Sequence, residues 1–217
     1  MSPELLSRAV QHRLALLRAG LRHRWAKVAV GAVCAWPLAM MVWGAVHDTL
    51  GPNPAEFLIR GTGEMALRML CLTLMVTPLR QALGWPEWLR FRRLLGLWTY
   101  AYAVLHLLCY AVFDMGLDGG DIARDILKRP FILVGMATWV LLTPLALTSW
   151  NGAIRWLGAA RWQRLHRLVY LIAPLAVLHF LWMRSGKHNY GDVWVYGLWL
   201  AVLLGWRGWR RLRASTA

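Results

Sequence analysis

The stretch WQRLHRLVYLIAPLAVLHFLWM, Trp162–Met183, decides what kind of fold this chain adopts. Its apolar part, Leu165–Met183, is long enough to cross roughly 30 Å of hydrocarbon as a helix rising about 1.5 Å per residue. Yet it carries two histidines, His166 and His179, where an ionisable group is costly. Five more runs of similar character accompany it: Val28–Val46, Thr62–Leu79, Leu94–Phe113, Phe131–Thr148 and the shorter Val193–Trp206. These runs predict an all-α integral membrane protein, a bundle of about six transmembrane helices. Pro37, Pro78, Pro144 and Pro174 fall inside spans, where neighbouring groups can satisfy the backbone that proline frees.

Composition agrees. Of 217 residues, 59% are hydrophobic, the mean hydropathy is +0.43, and fifteen are tryptophans, residues that favour the membrane–water interface. The net charge of +15 does not mark a nucleic-acid binder, because the basic residues form short clusters between apolar runs and not one basic face. Cys34, Cys71 and Cys109 each lie in an apolar run without a CxxC pair, so they read as small buried hydrophobes.

Residues 1–27 form a basic, moderately amphipathic tail with the character of an interfacial helix; residues 28–209 form the spanning domain and 210–217 a short basic tail. No clear small-residue cleavage site follows the first run, which therefore reads as a signal anchor. With the N-terminus in the cytoplasm, eighteen of the 25 lysines and arginines fall on the cytoplasmic side, and the 114–129 loop outside holds four of the ten acidic residues. Both termini are then expected in the cytoplasm. Gly116, Gly119 and Gly120 read as turn residues of that outer loop.

Away from span ends, the ionisable residues are His106, His166 and His179; His12, His23, His47 and His188 read as solvated. Three imidazoles on two spans, with no carboxylate in mid-span to pair with, point to metal ligation, and a porphyrin suits the apolar space between packed helices. His106 and His179 fall at one depth in the outer half and are expected to be opposite axial ligands of one haem between spans three and five. His166 lies about 19.5 Å deeper along a straight helix, which suits a second, inner haem. An ideal helix would leave His166 and His179 about 140° apart, so a kink or local rewinding at Pro174 is expected to re-aim one of them. Arg92 lies on the face of His106 at the inner depth, either as a contact of an inner haem or as a positive-inside anchor. Arg164 and Arg167 flank His166 as candidate propionate partners there. Glu64 and Arg68, four apart, read as an ion pair, with Arg68 a candidate for an outer propionate.

Particular stretches carry a resemblance: Thr62-Gly63 with Ala66-Leu67, Thr77-Pro78-Leu79, RRLLGLW at Arg92–Trp98, LHLLCY at Leu105–Tyr110, ILKRP at Ile126–Pro130, LALTS at Leu145–Ser149, WQRLHRLVYL at Trp162–Leu171 and LHFLW at Leu178–Trp182. Over about residues 25–210 the chain resembles the haem-binding membrane subunit of the bacterial periplasmic methionine-sulfoxide reductase system, within the ferric-reductase-like transmembrane superfamily. The resemblance implies haem b and FMN as cofactors, with no residue assigned to FMN. It also implies electrons from a cytoplasmic flavin reductase or quinol, and delivery to a periplasmic molybdopterin enzyme that repairs oxidised methionines. Its haem histidines fall on His106, His166 and His179. Two other readings stand beside it: a self-sufficient transmembrane ferric or cupric reductase, against which counts the lack of a flavin and nicotinamide domain in this sequence, and a transporter or assembly factor with structural histidines, for which no glycine-interrupted half-helices speak.

Overall fold

The computed structural model describes residues 3–185 and 190–215, all helix and connections, with no strand among the described residues. In chain order the helices are α1 (Pro3–Arg22), α2 (Arg24–Val46), α3 (Pro54–Leu83), α4 (Leu89–Cys109), α5 (Gly119–Lys128), α6 (Pro130–Leu147), α7 (Asn151–Leu157), α8 (Ala159–His166), α9 (Val169–Ser185) and α10 (Gly191–Ser215). A 3₁₀ turn, Pro86–Trp88, leads into α4, and a π-helical segment, Tyr110–Asp114, ends it. Each of the six apolar runs lies within this helical framework, the fifth divided between α8 and α9. Four segments are long and apolar enough to cross a membrane: Arg24–Val46, Pro86–Asp114, Pro130–Leu147 and Ala159–Ser185. The other two runs lie in α3 and α10, which carry charged and polar groups that answer one another. Arg68 Nε of α3 donates to the Tyr196 hydroxyl of α10 at 2.8 Å, that hydroxyl donates to Glu64 Oε1 at 3.0 Å, and Arg68 Nη2 meets Glu64 Oε1 at 2.5 Å.

Local chemistry explains where the elements begin and bend. α1 and α2 are separate helices, because His23 leaves the helical conformation and its side chain accepts the Trp25 N–H. The boundary expected at residue 27 therefore falls inside α2. The 114–129 segment is not only a loop: Gly116 takes a left-handed φ of +54° in a turn, but Gly119 and Gly120 open α5, whose N-terminus the Asp118 carboxylate caps by accepting the Asp121 N–H at 2.9 Å. His188, read as a solvated group, lies outside the described residues; His12, His23 and His47 are exposed.

The core is continuous along α3, α4, α6, α9 and α10. One cluster centres on Leu70, Cys71, Leu74, Ile172 and Ala173, and another joins α2 to α3 and α4 through Cys34, Met65, Met69 and Tyr102. Cys34, Cys71 and Cys109 are free thiols. Buried hydroxyls are satisfied within their own helices or by a neighbour: Thr62, Thr73 and Thr99 hydroxyls each donate to a carbonyl one turn back, and the Tyr102 hydroxyl donates to the Cys34 carbonyl at 2.7 Å. On the outside the bundle shows water-avoiding side chains, among them Trp36, Trp43, Val140, Leu198 and Val202. A belt of this kind is what a helix bundle presents to lipid.

Candidate functional site

Helices α3, α4, α6 and α9 surround a cavity of about 510 Å³ in one half of the bundle. His106 enters it from α4 and His179 from α9, the two rings facing each other with centroids 6.1 Å apart and planes at 72°. Each imidazole is aimed by a backbone carbonyl of a neighbouring helix. His106 Nδ1–H donates to Ile59 O of α3 at 2.8 Å, and His179 Nδ1–H donates to Phe131 O of α6 at 2.6 Å. Spending the Nδ1 proton on a carbonyl leaves Nε2 of each ring with its lone pair, the form in which imidazole ligates a metal. The helices come close enough for this because glycine faces each ring. A Cβ on Gly63 would lie 3.0 Å from the His106 ring, and one on Gly135 would lie 2.8 Å from the His179 ring.

The dimensions suit one metal ion between two imidazoles. With metal–nitrogen bonds of about 2.0–2.1 Å on both sides, the ring centroids come about 6 Å apart. The cavity around them is walled mainly by apolar groups, including Leu67, Leu70, Leu142 and Ile172, and so suits a large apolar ligand. Its rim is polar, with Glu56, Arg60, Asp114, Arg129 and Arg184. These rim arginines escape a reading of the sequence, because each stands at a run's end where an anchor is expected. Arg68 is not in the cavity wall; Glu64 and Tyr196 hold it.

A second cavity of about 220 Å³ lies in the other half, between α3, α4, α6 and α8, with His166, Arg92, Arg93, Ser149 and Trp162 in its wall. The structure thus brings Arg92 to His166, while Arg164 and Arg167 are exposed and outside this wall. His166 stacks on Trp162 at 3.9 Å. Its Nε2 lies 3.1 Å from the Thr148 hydroxyl, which itself lies 2.6 Å from Pro144 O. Between His166 and His179 the helix is interrupted at Arg167–Leu168. There α8 ends and α9 begins, and Leu168, Tyr170 and Leu171 N–H groups bond three residues back instead of four. This tighter winding rotates the chain at that point. Leu70, Thr99 and Leu142 belong to the walls of both cavities, so only an uncharged partition separates them.

Comparison with known proteins matches this framework to a family. The profile of the ferric reductase like transmembrane component covers residues 62–177, from the middle of α3 to within two residues of His179. A protein of Polaromonas naphthalenivorans is 58% identical over 189 residues, covering 87% of this chain and 86% of the relative. One from Ralstonia nicotianae is 46% identical over 86% of each chain, and one from Caulobacter vibrioides is 43% identical over 86% of this chain and 88% of its own. All three are named protein-methionine-sulfoxide reductase heme-binding subunit MsrQ. The chain is a multi-pass membrane protein that belongs to this MsrQ family, within the ferric reductase like transmembrane components.

Proposed function

We propose that this protein is a b-type cytochrome of six membrane spans that carries electrons across the bacterial inner membrane to a periplasmic molybdopterin methionine-sulfoxide reductase. Both termini lie in the cytoplasm, which places the His106–His179 cavity in the periplasmic half and the His166 cavity in the cytoplasmic half. The observation that carries the reading is the facing of His106 and His179 at 6.1 Å, each with its Nδ1 proton already committed to a backbone carbonyl. Two neutral imidazoles so held would hold the iron of haem b between them. His166 ligates at an inner site, a second haem b, with Arg92 as the cation facing it across the smaller cavity.

Haem supplies a one-electron couple; the chain supplies position and surroundings. The Ile59 and Phe131 carbonyls hold the imidazoles in one tautomer and raise their basicity. Apolar side chains from α3, α6 and α9 exclude water from the centre of the outer cavity. The wall shared by the two cavities, Leu70, Thr99 and Leu142, keeps the donor and acceptor sites close together without a charge between them. Electrons enter from a cytoplasmic flavin reductase, with FMN as the carrier, or from quinol. Substrate chemistry belongs to the partner.

Reconstitution tests the reading. The purified protein, reduced by quinol or by a flavin reductase system, should show cytochrome b absorbance and turn over no methionine sulfoxide alone. Adding the periplasmic molybdenum enzyme should start turnover. Sulfoxide reduction by this chain without a partner would exclude the conduit.

A further inference from the structure

We propose that Arg184, supported by Arg60 and Arg129, is a carboxylate clamp at the rim of the outer cavity that fixes the propionates of the haem held by His106 and His179. The proposal rests on the haem reading above and adds to it the residues that orient the porphyrin about its iron. Arg184 lies five residues after His179 on α9, about 7.5 Å further toward the outer end, and both side chains line the same cavity. Its side chain is only 14% exposed. Its Nε–H is buried and, among the described residues, has no hydrogen-bond partner. The remaining fork is weakly engaged: Nη2 meets Asp192 Oδ2 at 3.2 Å, on a carboxylate that is itself 53% exposed. The guanidinium sits over the Phe180 ring at 5.2 Å, which fixes its plane. A buried guanidinium with an open Nε edge beside an apolar cavity is the donor pattern that takes a carboxylate through two parallel hydrogen bonds.

The two supporting arginines arrive on the backbone that aims the imidazoles. Arg60 follows Ile59, whose carbonyl holds His106; Arg129 precedes Phe131, whose carbonyl holds His179, by two residues. Both line the cavity, but each already has a close carboxylate partner, Glu56 at 2.6 Å and Asp125 at 2.8 Å. Arg184 has the longest pairing of the three and the unmet donor, so it is the principal contact, and the other two supply positive potential at the rim. Arg68, attractive in the sequence, is held by Glu64 and Tyr196 instead.

The test is haem retention, which does not depend on turnover. The full-length protein is loaded either with haem b or with its dimethyl ester, in which both propionates are neutral, and transfer to excess apomyoglobin is followed in the Soret band. The wild type should lose the ester at least about tenfold faster than haem b, as expected when a charge-assisted bidentate pair is removed. Arg184→Gln should lose haem b nearly as fast as the wild type loses the ester, with a much smaller further effect of esterification, and should keep the low-spin bis-imidazole spectrum. Arg184→Lys, which keeps the charge but loses the fork, should fall between; it decides the matter if Arg184→Gln does not accumulate. Equal retention of haem b and ester by the wild type overturns the proposal. So does a variant in which both ligands leave faster by the same factor, since that marks general loosening of the fold. The underlying haem reading fails differently, by an unchanged cytochrome spectrum in His106→Ala or His179→Ala, and the clamp then falls with it.

Discussion

The two cavities of this bundle are lined by the same helices α3, α4 and α6, yet they are prepared for ligands to different degrees. In the outer one, two imidazoles face each other, both Nδ1 protons are committed to backbone carbonyls, and the surrounding space is about 510 Å³. In the inner one a single imidazole is stacked on Trp162 and bonded through Nε2 to a side-chain hydroxyl, in a space of about 220 Å³ beside two guanidiniums. Backbone carbonyls cannot change rotamer, so the outer ligands are preorganised by the fold itself. The inner histidine is held by side chains alone, the Trp162 ring and the Thr148 hydroxyl. The contrast is between an outer pair aimed by the backbone and an inner histidine aimed by side chains.

The largest effect that would break this comparison is at the outer pair. His106→Ala and His179→Ala should each abolish the same low-spin bis-imidazole signal in low-temperature EPR of membranes, because one iron needs both nitrogens. A full signal surviving in either variant would disprove the pairing. The next effect is kinetic. His166→Ala should leave the outer signal intact while reduction from the cytoplasmic side slows by at least about tenfold, a loss of roughly 1.4 kcal/mol in barrier terms. Arg92→Ala should move the inner site's potential or occupancy more than the outer site's, since its side chain lines only the inner cavity. Stopped-flow reduction with haem quantitation measures both. Normal kinetics and stoichiometry in His166→Ala would make His166 a structural residue.

These histidines were legible in the sequence because an imidazole inside an apolar run stands out against its surroundings. The groups that aim them were not. Ile59 and Phe131 act through their carbonyls, which every residue possesses, so nothing in their side chains announces the role. Arg60, Arg129 and Arg184 stand at the ends of apolar runs, where a basic residue ordinarily means a membrane anchor. The break at Arg167–Leu168 contains neither glycine nor proline, so no residue type marks it in the sequence. The α5 helix could have been found from Asp118 three residues before Asp121, a helix-capping spacing, had the paired glycines between them not read as a turn.

Glycine offers a sharper, smaller test of preorganisation. Gly135→Ala places a methyl 2.8 Å from the His179 ring, which its bond to Phe131 O prevents from yielding freely. Gly63→Ala approaches the His106 ring at 3.0 Å. Overpacking of this kind costs about 1–3 kcal/mol, so both variants should lower outer-haem occupancy and shift its g-values, Gly135→Ala the more. Gly96→Ala, in the wall of the inner cavity, meets only the Thr73 methyl at 3.8 Å. It should leave the outer signal unchanged and cost no thermal stability, since alanine is the better helix former by about 0.5–1 kcal/mol. An outer signal that tolerates Gly135→Ala as well as Gly96→Ala would mean that the outer rings are as adaptable as the inner one.

The smallest expected effect lies beyond the inner cavity, where α1 docks. Glu87 in the 3₁₀ turn before α4 accepts hydrogen bonds from Arg18 and Arg22 on one oxygen, and Arg90 holds the Leu21 carbonyl. Its own backbone N–H, and then the Arg22 and Arg18 guanidiniums, hold the Glu87 carboxyl at about 2, below its ordinary value of 4.5. A carboxylate whose pKa is lowered by folding stabilises the folded state fully above its unfolded value, and that stabilisation fades as pH falls toward the folded one. Glu87→Gln should therefore lower the thermal midpoint at neutral pH, and the gap from wild type should close between about pH 4.5 and 2. The gap should also narrow with added salt, because Arg22 is largely solvent-exposed. Tryptophan fluorescence during heating, run across that pH range, gives the measurement, and hydrogen exchange in α1 locates the loosening. A gap that stays constant down to pH 2 would show that Glu87 acts by packing and not by charge. If the variant also kept wild-type cytoplasmic reduction kinetics, the docking of α1 would be separable from the electron entry site above it.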